Sequence, residues 1–277
     1  MPTTFLSLVF ASLFLAYPAK IEDSRSEVYR TIDETELRVH ILGEANPKQP
    51  KPAIIFFFGG GWNGGSPEQF AKQGAHLAKR GMIVFLADYR VKSRHEVKPV
   101  ECVKDGKACL AWVRKNAKRL GVDPERICAA GGSAGGHVAA CTGTVPALGN
   151  EERPNAMILF NPVCLLAKLD GTKPSFGRNR DLGIKPRLLS PAHHIGEHTP
   201  ATLIMHGTGD TTVTFNTAQA FEAAFKKAKR PVTLIAYPDR KHGFFNKGDD
   251  YTATLKETDN FLTKLGWIPA LEKPSQK

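Results

Sequence analysis

Short runs of consecutive apolar residues recur along the chain at Ala53–Phe58, Met82–Ala87, Arg126–Ala130, Ala156–Phe160 and Ala201–His206. Runs of this length that do not alternate with polar residues predict strands buried on both faces. Val232–Tyr237 gives a further strand. Between them lie stretches of helical character at Pro67–Lys79, Lys98–Leu120 (closed by Gly121), Gly136–Val145, Thr214–Ala228 and Asp250–Leu265. Strands alternating with helices predict βαβ units, and hence an α/β protein whose sheet is mostly parallel and covered by helices on both faces. Ahead of this pattern, Glu27–Ile32 and Glu36–Leu42 flank the turn Asp33-Glu34-Thr35 and predict an antiparallel hairpin, which brings the expected sheet to about eight twisted strands.

The first 19 residues stand apart. They carry no charged side chain and hold an apolar run from Phe5 to Tyr17, after which the polar stretch Lys20–Arg30 begins abruptly. Such a run suits the apolar core of a signal peptide and is short for a membrane span. The expectation is export to the periplasm or beyond, with no stable span in the mature protein. Residues 20–277 then form one domain, with a small cap-like insertion at about 161–199. Hydrophobic residues make up 42% of the chain, enough for a substantial core. Lys and Arg number 38 against 27 Asp and Glu, a net charge of +11. The cations are scattered, with no basic run interleaved with aromatics, so the surplus predicts a solvated basic surface rather than nucleic-acid binding. Of the five cysteines, Cys102 and Cys109 fall seven apart on one predicted helix, about 10 Å between Cα atoms, which is too far for a disulfide. Cys128 and Cys141 are expected as buried thiols, and a pairing of Cys164 stays open.

In open α/β sheets the chemistry sits at the carboxyl ends of strands. One such end carries Gly131-Gly132-Ser133-Ala134-Gly135, a G-x-S-x-G pentapeptide between the strand Arg126–Ala130 and the helix that follows. A serine there occupies a strained turn, small neighbours admit close backbone approach, and the helix N-terminus faces the site where negative charge develops. A second strand end carries Phe58-Gly59-Gly60-Gly61-Trp62, a loop whose glycines let backbone amides approach a developing oxyanion. Two later loops supply acid and base candidates: His206-Gly207-Thr208-Gly209-Asp210, and Tyr237-Pro238-Asp239-Arg240-Lys241-His242. The order Ser, then Asp, then His selects Ser133, Asp210 and His242. Asp239 lies only three residues from His242 and is poorly placed to reach its outer ring nitrogen, and Asp170 is the other rival acid. His206 is expected to support the acid loop, His137 to be packed, and His193, His194 and His198 to be solvated.

Gly131-Gly132-Ser133-Ala134-Gly135-Gly136-His137 and its context resemble the esterase and lipase branch of the α/β-hydrolases, above all acetyl xylan esterases, feruloyl esterases and related bacterial carboxylesterases. The resemblance runs in order from about Ile54 to His242. It implies the α/β-hydrolase fold, an oxyanion hole made of the amides of Gly60, Gly61 and Ala134, and Ser-His-Asp acyl-enzyme chemistry on a small ester or an acylated polysaccharide. Phe58 departs from the family, which usually carries His before the glycines, and that leaves the support of this loop to other residues. Trp62, Phe176 and Phe244 are expected to line a short acyl pocket, because the insertion is rich in Lys, Arg, Pro and Gly and lacks a long amphipathic helix. The sequence has no metal-ligand spacing and no nucleotide-binding loop, so neither metal nor cofactor is expected. Alternatives are a dipeptidyl- or oligopeptidase-like hydrolase and a binding member of the fold without catalysis. The first usually carries a large extra domain, and the second is expected to lack a triad residue. Oligomeric state is not legible.

Overall fold

The structure is a computed structural model and describes residues 21–146, 148–149, 152–176 and 180–270. The expected signal peptide at 1–19 lies outside the described residues, as do Gly177 and Arg178 of the insertion.

Eight strands form one sheet: β1 (Arg25–Ile32), β2 (Thr35–Leu42), β3 (Lys51–Phe57), β4 (Ile83–Ala87), β5 (Val122–Gly132), β6 (Ala156–Phe160), β7 (Ala201–Gly207) and β8 (Val232–Tyr237). Their spatial order is β1-β2-β4-β3-β5-β6-β7-β8, antiparallel from β1 to β4 and parallel from there on. The continuous apolar runs follow from this arrangement. Every residue of β4 and β6 is buried, because helices cover both faces. On one face Phe57, Phe85 and Ile55 pack with Val103, Leu110 and Val138, and on the other Phe56, Val84 and Leu86 pack with Phe70 and Leu77.

The helices are α1 (Ala71–Lys79), α2 (Lys92–His95), α3 (Pro99–Lys115), α4 (Ala117–Leu120), α5 (Ala134–Thr144), α6 (Phe215–Lys227) and α7 (Gly248–Lys264). Several depart from the sequence expectation, and α2 has no counterpart in it. The stretch at Pro67–Lys79 opens as a 3₁₀ turn, Pro67–Phe70, whose start is capped by Ser66 Oγ accepting from the Glu68 amide at 3.2 Å. The helix expected at Lys98–Leu120 is interrupted at Asn116, where φ −98° and ψ 10° leave the helical range; its side-chain Nδ2 donates to the Trp112 carbonyl at 2.8 Å beside its own backbone amide at 3.0 Å. Helix α5 begins at Ala134, directly after the serine and two residues earlier than expected.

All five cysteines are free and buried, so the pairing left open for Cys164 is not made. Burial pushes its thiol up to about 12, and its Sγ donates to the Thr217 carbonyl at 3.4 Å. Among the described residues no helix is long and apolar enough to cross a membrane.

The insertion between β6 and β7 contains only two short 3₁₀ turns, Pro186–Leu189 and Pro191–His193, among its described residues. Two of its three histidines differ from the expectation that they are solvated. His193 bonds Ser190 Oγ at 2.9 Å and the Lys168 carbonyl at 3.2 Å, and His194 donates to the Arg187 carbonyl at 3.0 Å, so both knit the segment together. His198 is exposed beside Glu197. Irregular chain has no ladder to satisfy its carbonyls, and ring nitrogens serve in its place.

His137 ties this insertion to α5: its Nε2–H donates to the Leu189 carbonyl at 2.8 Å, and the ring is fully buried. Burial lowers its pKa to about 4, against 6.5 for an ordinary histidine. The folded state therefore holds the ring neutral while the unfolded chain takes up a proton below pH 6.5. Stability is expected to fall by about 3 kcal/mol as pH drops from about 6.5 to about 4, and to gain nothing from this residue above that window. Denaturant titrations across the window check this. His137→Gln, itself less stable at pH 8, is expected to lose that slope, and an unchanged slope would place its source elsewhere.

Candidate active site

Ser133 occupies the single residue between β5 and α5, with φ 54° and ψ −118°, a conformation that side-chain-bearing residues rarely adopt. Close packing around the turn enforces it. A Cβ on Gly135 would stand 2.1 Å from the Phe57 carbonyl oxygen and 2.3 Å from that of Phe58, so β3 and the start of α5 touch backbone to backbone. The turn aims the serine hydroxyl out of the sheet toward the loop after β8.

There Ser133 Oγ lies 2.8 Å from His242 Nε2, and His242 Nδ1 donates to Asp210 Oδ2 at 2.7 Å. Strand order places all three: β5, β6, β7 and β8 are successive neighbours, and the loops after β7 and β8 carry Asp210 and His242. The Asp210 side chain is inaccessible to solvent, and its Oδ1 accepts from the amides of Thr212 and Val213, both at 2.9 Å. Burial acts to raise this carboxyl. Bonds from His206, His242 and the Val213 amide outweigh it and hold Asp210 well below the usual carboxylate range. His206 donates from Nε2 to the Val213 carbonyl at 2.7 Å, so it braces the acid loop from behind. Asp239 stands on the exposed turn after β8 with its amide on Thr208 Oγ1, and Asp170 sits on a turn of the insertion.

The serine opens into a cleft of about 270 Å³ lined by Gly60, Gly61, Ser133, Phe176, His242 and Phe245. Gly60 and Gly61 have positive φ, 122° and 64°, and turn the loop back on itself so that the Asn63 and Gly64 amides donate to the Gly60 carbonyl. Ala134 is the buried first residue of α5, at the helix end whose amides have no intrahelical partner. The structure thus brings all three expected oxyanion residues to the serine.

Phe58, in place of the usual histidine, is held by Tyr89. Their rings stack at 4.2 Å, and the Tyr89 hydroxyl donates to the Phe58 carbonyl at 2.5 Å, both residues being buried. Farther along the loop, Arg180 donates to the Gly61 carbonyl.

The expected pocket is corrected in two of its three aromatics. Phe176 lines the cleft. Trp62 is 1% exposed and lies behind it, packed edge-on against His137 at 5.1 Å and against Phe176 at 5.6 Å. Phe244 turns away to Tyr237, 4.8 Å between centroids, and Phe245 takes the wall instead. The cause is the 3₁₀ turn Phe244–Asn246, which rotates successive side chains by about a third of a turn. Sequence reasoning also missed Gln69, Asn161 and Asn246, which line the same cleft. None belongs to a motif, although Asn161 follows a buried strand directly, where a polar residue signals a strand end.

Asp210→Asn is expected to lower turnover by orders of magnitude, because His242 loses the partner that fixes its tautomer, whereas Asp239→Asn should change it little. Steady-state rates of the two purified variants check the assignment, and the reverse ranking would overturn it.

The BD-FAE family model matches residues 39–160. Thermogutta terrifontis esterase 2 phosphonylated by sarin superposes with a TM-score of 0.87 at 42% identity, covering 93% of this chain and 100% of that one. The propionate-bound esterase from the same organism gives 0.86 and 43% with the same coverage. The acetylxylan esterase of Xylanibacter ruminicola is 29% identical over 276 residues, spanning 95% of this chain and 54% of its own. The chain spans about half the length of the curated relatives it matches. With whole-length similarity to a solved esterase added to the eight-stranded sheet and to the sharp serine turn between β5 and α5, the nucleophile elbow, the chain belongs to the esterases of the α/β-hydrolase family.

Proposed function

We propose that this protein is a serine carboxylic-ester hydrolase acting on short-acyl esters. The observation that carries the reading is the unbroken relay from Ser133 Oγ through His242 to Asp210, at 2.8 and 2.7 Å, opening on a glycine-lined cleft. Ser133 attacks the ester carbonyl as His242 Nε2 takes its proton, and the carbonyl oxygen gathers negative charge facing the amides of Gly60, Gly61 and Ala134. His242 then protonates the departing alcohol. In the second half it draws a proton from water, which attacks the acyl-enzyme and releases the acid. Asp210 stays ionised throughout and stabilises the imidazolium at both stages, its carboxyl being held low by the contacts given above. The acid side of the pH–rate profile is therefore expected to carry no step from protonation of Asp210.

The cleft supports the preference for short acyl groups. At about 270 Å³ it falls below the 300–1,000 Å³ usual for small-molecule pockets. Phe176 and Phe245 wall it, and the insertion has no long amphipathic helix among its described residues to roof a trough. A relative that holds propionate agrees with this size. Of the acetyl and feruloyl groups that the sequence resemblance suggests, acetyl groups on polysaccharide are the natural substrates we favour, supported by the acetylxylan esterase relative and by the apolar leader at 1–19, which suits an exported enzyme.

A p-nitrophenyl ester series tests the proposal. kcat/KM is expected to peak between acetate and butyrate and to drop by octanoate, and Ser133→Ala should lower it by about 10³-fold or more. A long trough would add about 0.8 kcal/mol per buried methylene, so a rise continuing through decanoate would overturn the short-acyl reading.

A further inference from the structure

Two short 3₁₀ turns far apart in sequence meet at the rim of the cleft, and each presents an amide beside a phenylalanine. In the first, Pro67–Phe70, these are Gln69 and Phe70, and in the second, Phe244–Asn246, they are Asn246 and Phe245. The two rings stack at 5.8 Å with 10° between their planes, and Phe70 also stacks on Phe56 of β3 at 4.8 Å. Above the rings the amides form one directed chain. The Gly59 N–H donates to Gln69 Oε1 at 2.6 Å, Gln69 Nε2 donates to Asn246 Oδ1 at 3.1 Å, and Asn246 Nδ2 donates to the Gly243 carbonyl at 2.8 Å.

The ends of this chain are informative. Gly59 directly precedes the oxyanion glycines, and Gly243 directly follows His242. The Gly243 amide is fixed from the other side by Asn161 Oδ1 at 3.0 Å, so the residue after the base is gripped at both its N–H and its C=O. The ring of Phe245 reaches the third catalytic loop as well: a Cβ on Gly132, next to the nucleophile, would stand 2.5 Å from its Cζ. One joint thus touches the oxyanion loop, the elbow and the histidine loop.

We propose that Gln69 is a positioning residue that sets the oxyanion loop and the His242 loop in register with each other, acting through Asn246. The proposal rests on the ester-hydrolase reading. Acyl transfer needs the amides and the base correctly placed at the same moment, and a misplacement of about 1 Å can cost 10²-fold. Gln69 suits the task because its carboxamide accepts on one side and donates on the other.

Two near-isosteric variants and one truncation cut the chain at separate links. Gln69→Glu keeps the acceptor for Gly59 and loses the donor to Asn246; Asn246→Asp keeps the acceptor for Gln69 and loses the donor to Gly243; Gln69→Ala loses both Gln69 bonds. We expect kcat on p-nitrophenyl butyrate to fall about tenfold in Gln69→Ala with KM within about twofold, and to fall less in the two conservative variants. The double variant Gln69→Ala/Asn246→Asp should be no slower than the worse single one, because one chain is cut only once. Inactivation by a fluorophosphonate, which draws on Ser133 and the same amides, should slow in parallel. If Gln69→Ala does not fold, the conservative pair carries the test. Lower melting temperatures with kcat and inactivation rate unchanged, or losses that multiply in the double variant, would overturn the proposal. Failure of the ester-hydrolase reading is distinguishable, because wild-type protein would then turn over no ester at all.

Discussion

The site depends on one backbone conformation, that of Ser133. A non-glycine residue at φ 54° and ψ −118° costs roughly 1–3 kcal/mol and persists only where its surroundings over-determine it. Here they do. The Ser133 amide donates to the Phe160 carbonyl at 2.9 Å, and the Ser133 carbonyl accepts from His137 at 2.9 Å and Val163 at 3.2 Å. The turn is therefore bolted to β6, to α5 and to the first residues of the insertion. β3 closes against it at Gly135, where no side chain fits. The central, doubly covered position of β5 supplies the rigidity, and the hydroxyl emerges where the neighbouring strands deliver the acid and the base.

The electrostatics have the same economy. Asp210 is buried, which alone would favour its neutral form, yet two backbone amides and the ring of His242 keep it charged. Its charge is fixed in place by the fold rather than by solvent, so it orients His242 without reorganisation during reaction. Asp239 lacks every one of these contacts, although it lies nearer to His242 in sequence. The oxyanion loop is held by an aromatic stack and a tyrosine hydroxyl at Phe58, where polar support from a histidine is usual in the family.

Much of this was legible in the sequence, for identifiable reasons. Strands buried on both faces write themselves as unbroken apolar runs, and the hairpin shows as two strand-like segments about a polar turn. The elbow is legible because close approach of β3 and of the Phe245 ring leaves no room for side chains beside the serine, and that requirement is written as glycines at fixed spacing. Other features depend on contacts that sequence spacing does not encode. The exchange of Phe244 for Phe245 follows from a three-residue 3₁₀ turn with no sequence period of its own. Gln69 meets Asn246 across 177 positions, and Tyr89 meets Phe58 across 31. The break at Asn116 is local, a change of backbone conformation at one residue that the helical pattern on either side does not announce.

The central claim is that the fold activates one serine, Ser133, through His242. Its most direct test is peptide-level mass spectrometry after brief treatment with a fluorophosphonate, on wild-type protein and on a folded His242→Ala variant. The account predicts one adduct per chain, on Ser133, formed rapidly in the wild type and slowed by orders of magnitude in the variant. An adduct on any other residue, or equal labelling of both proteins, would contradict it.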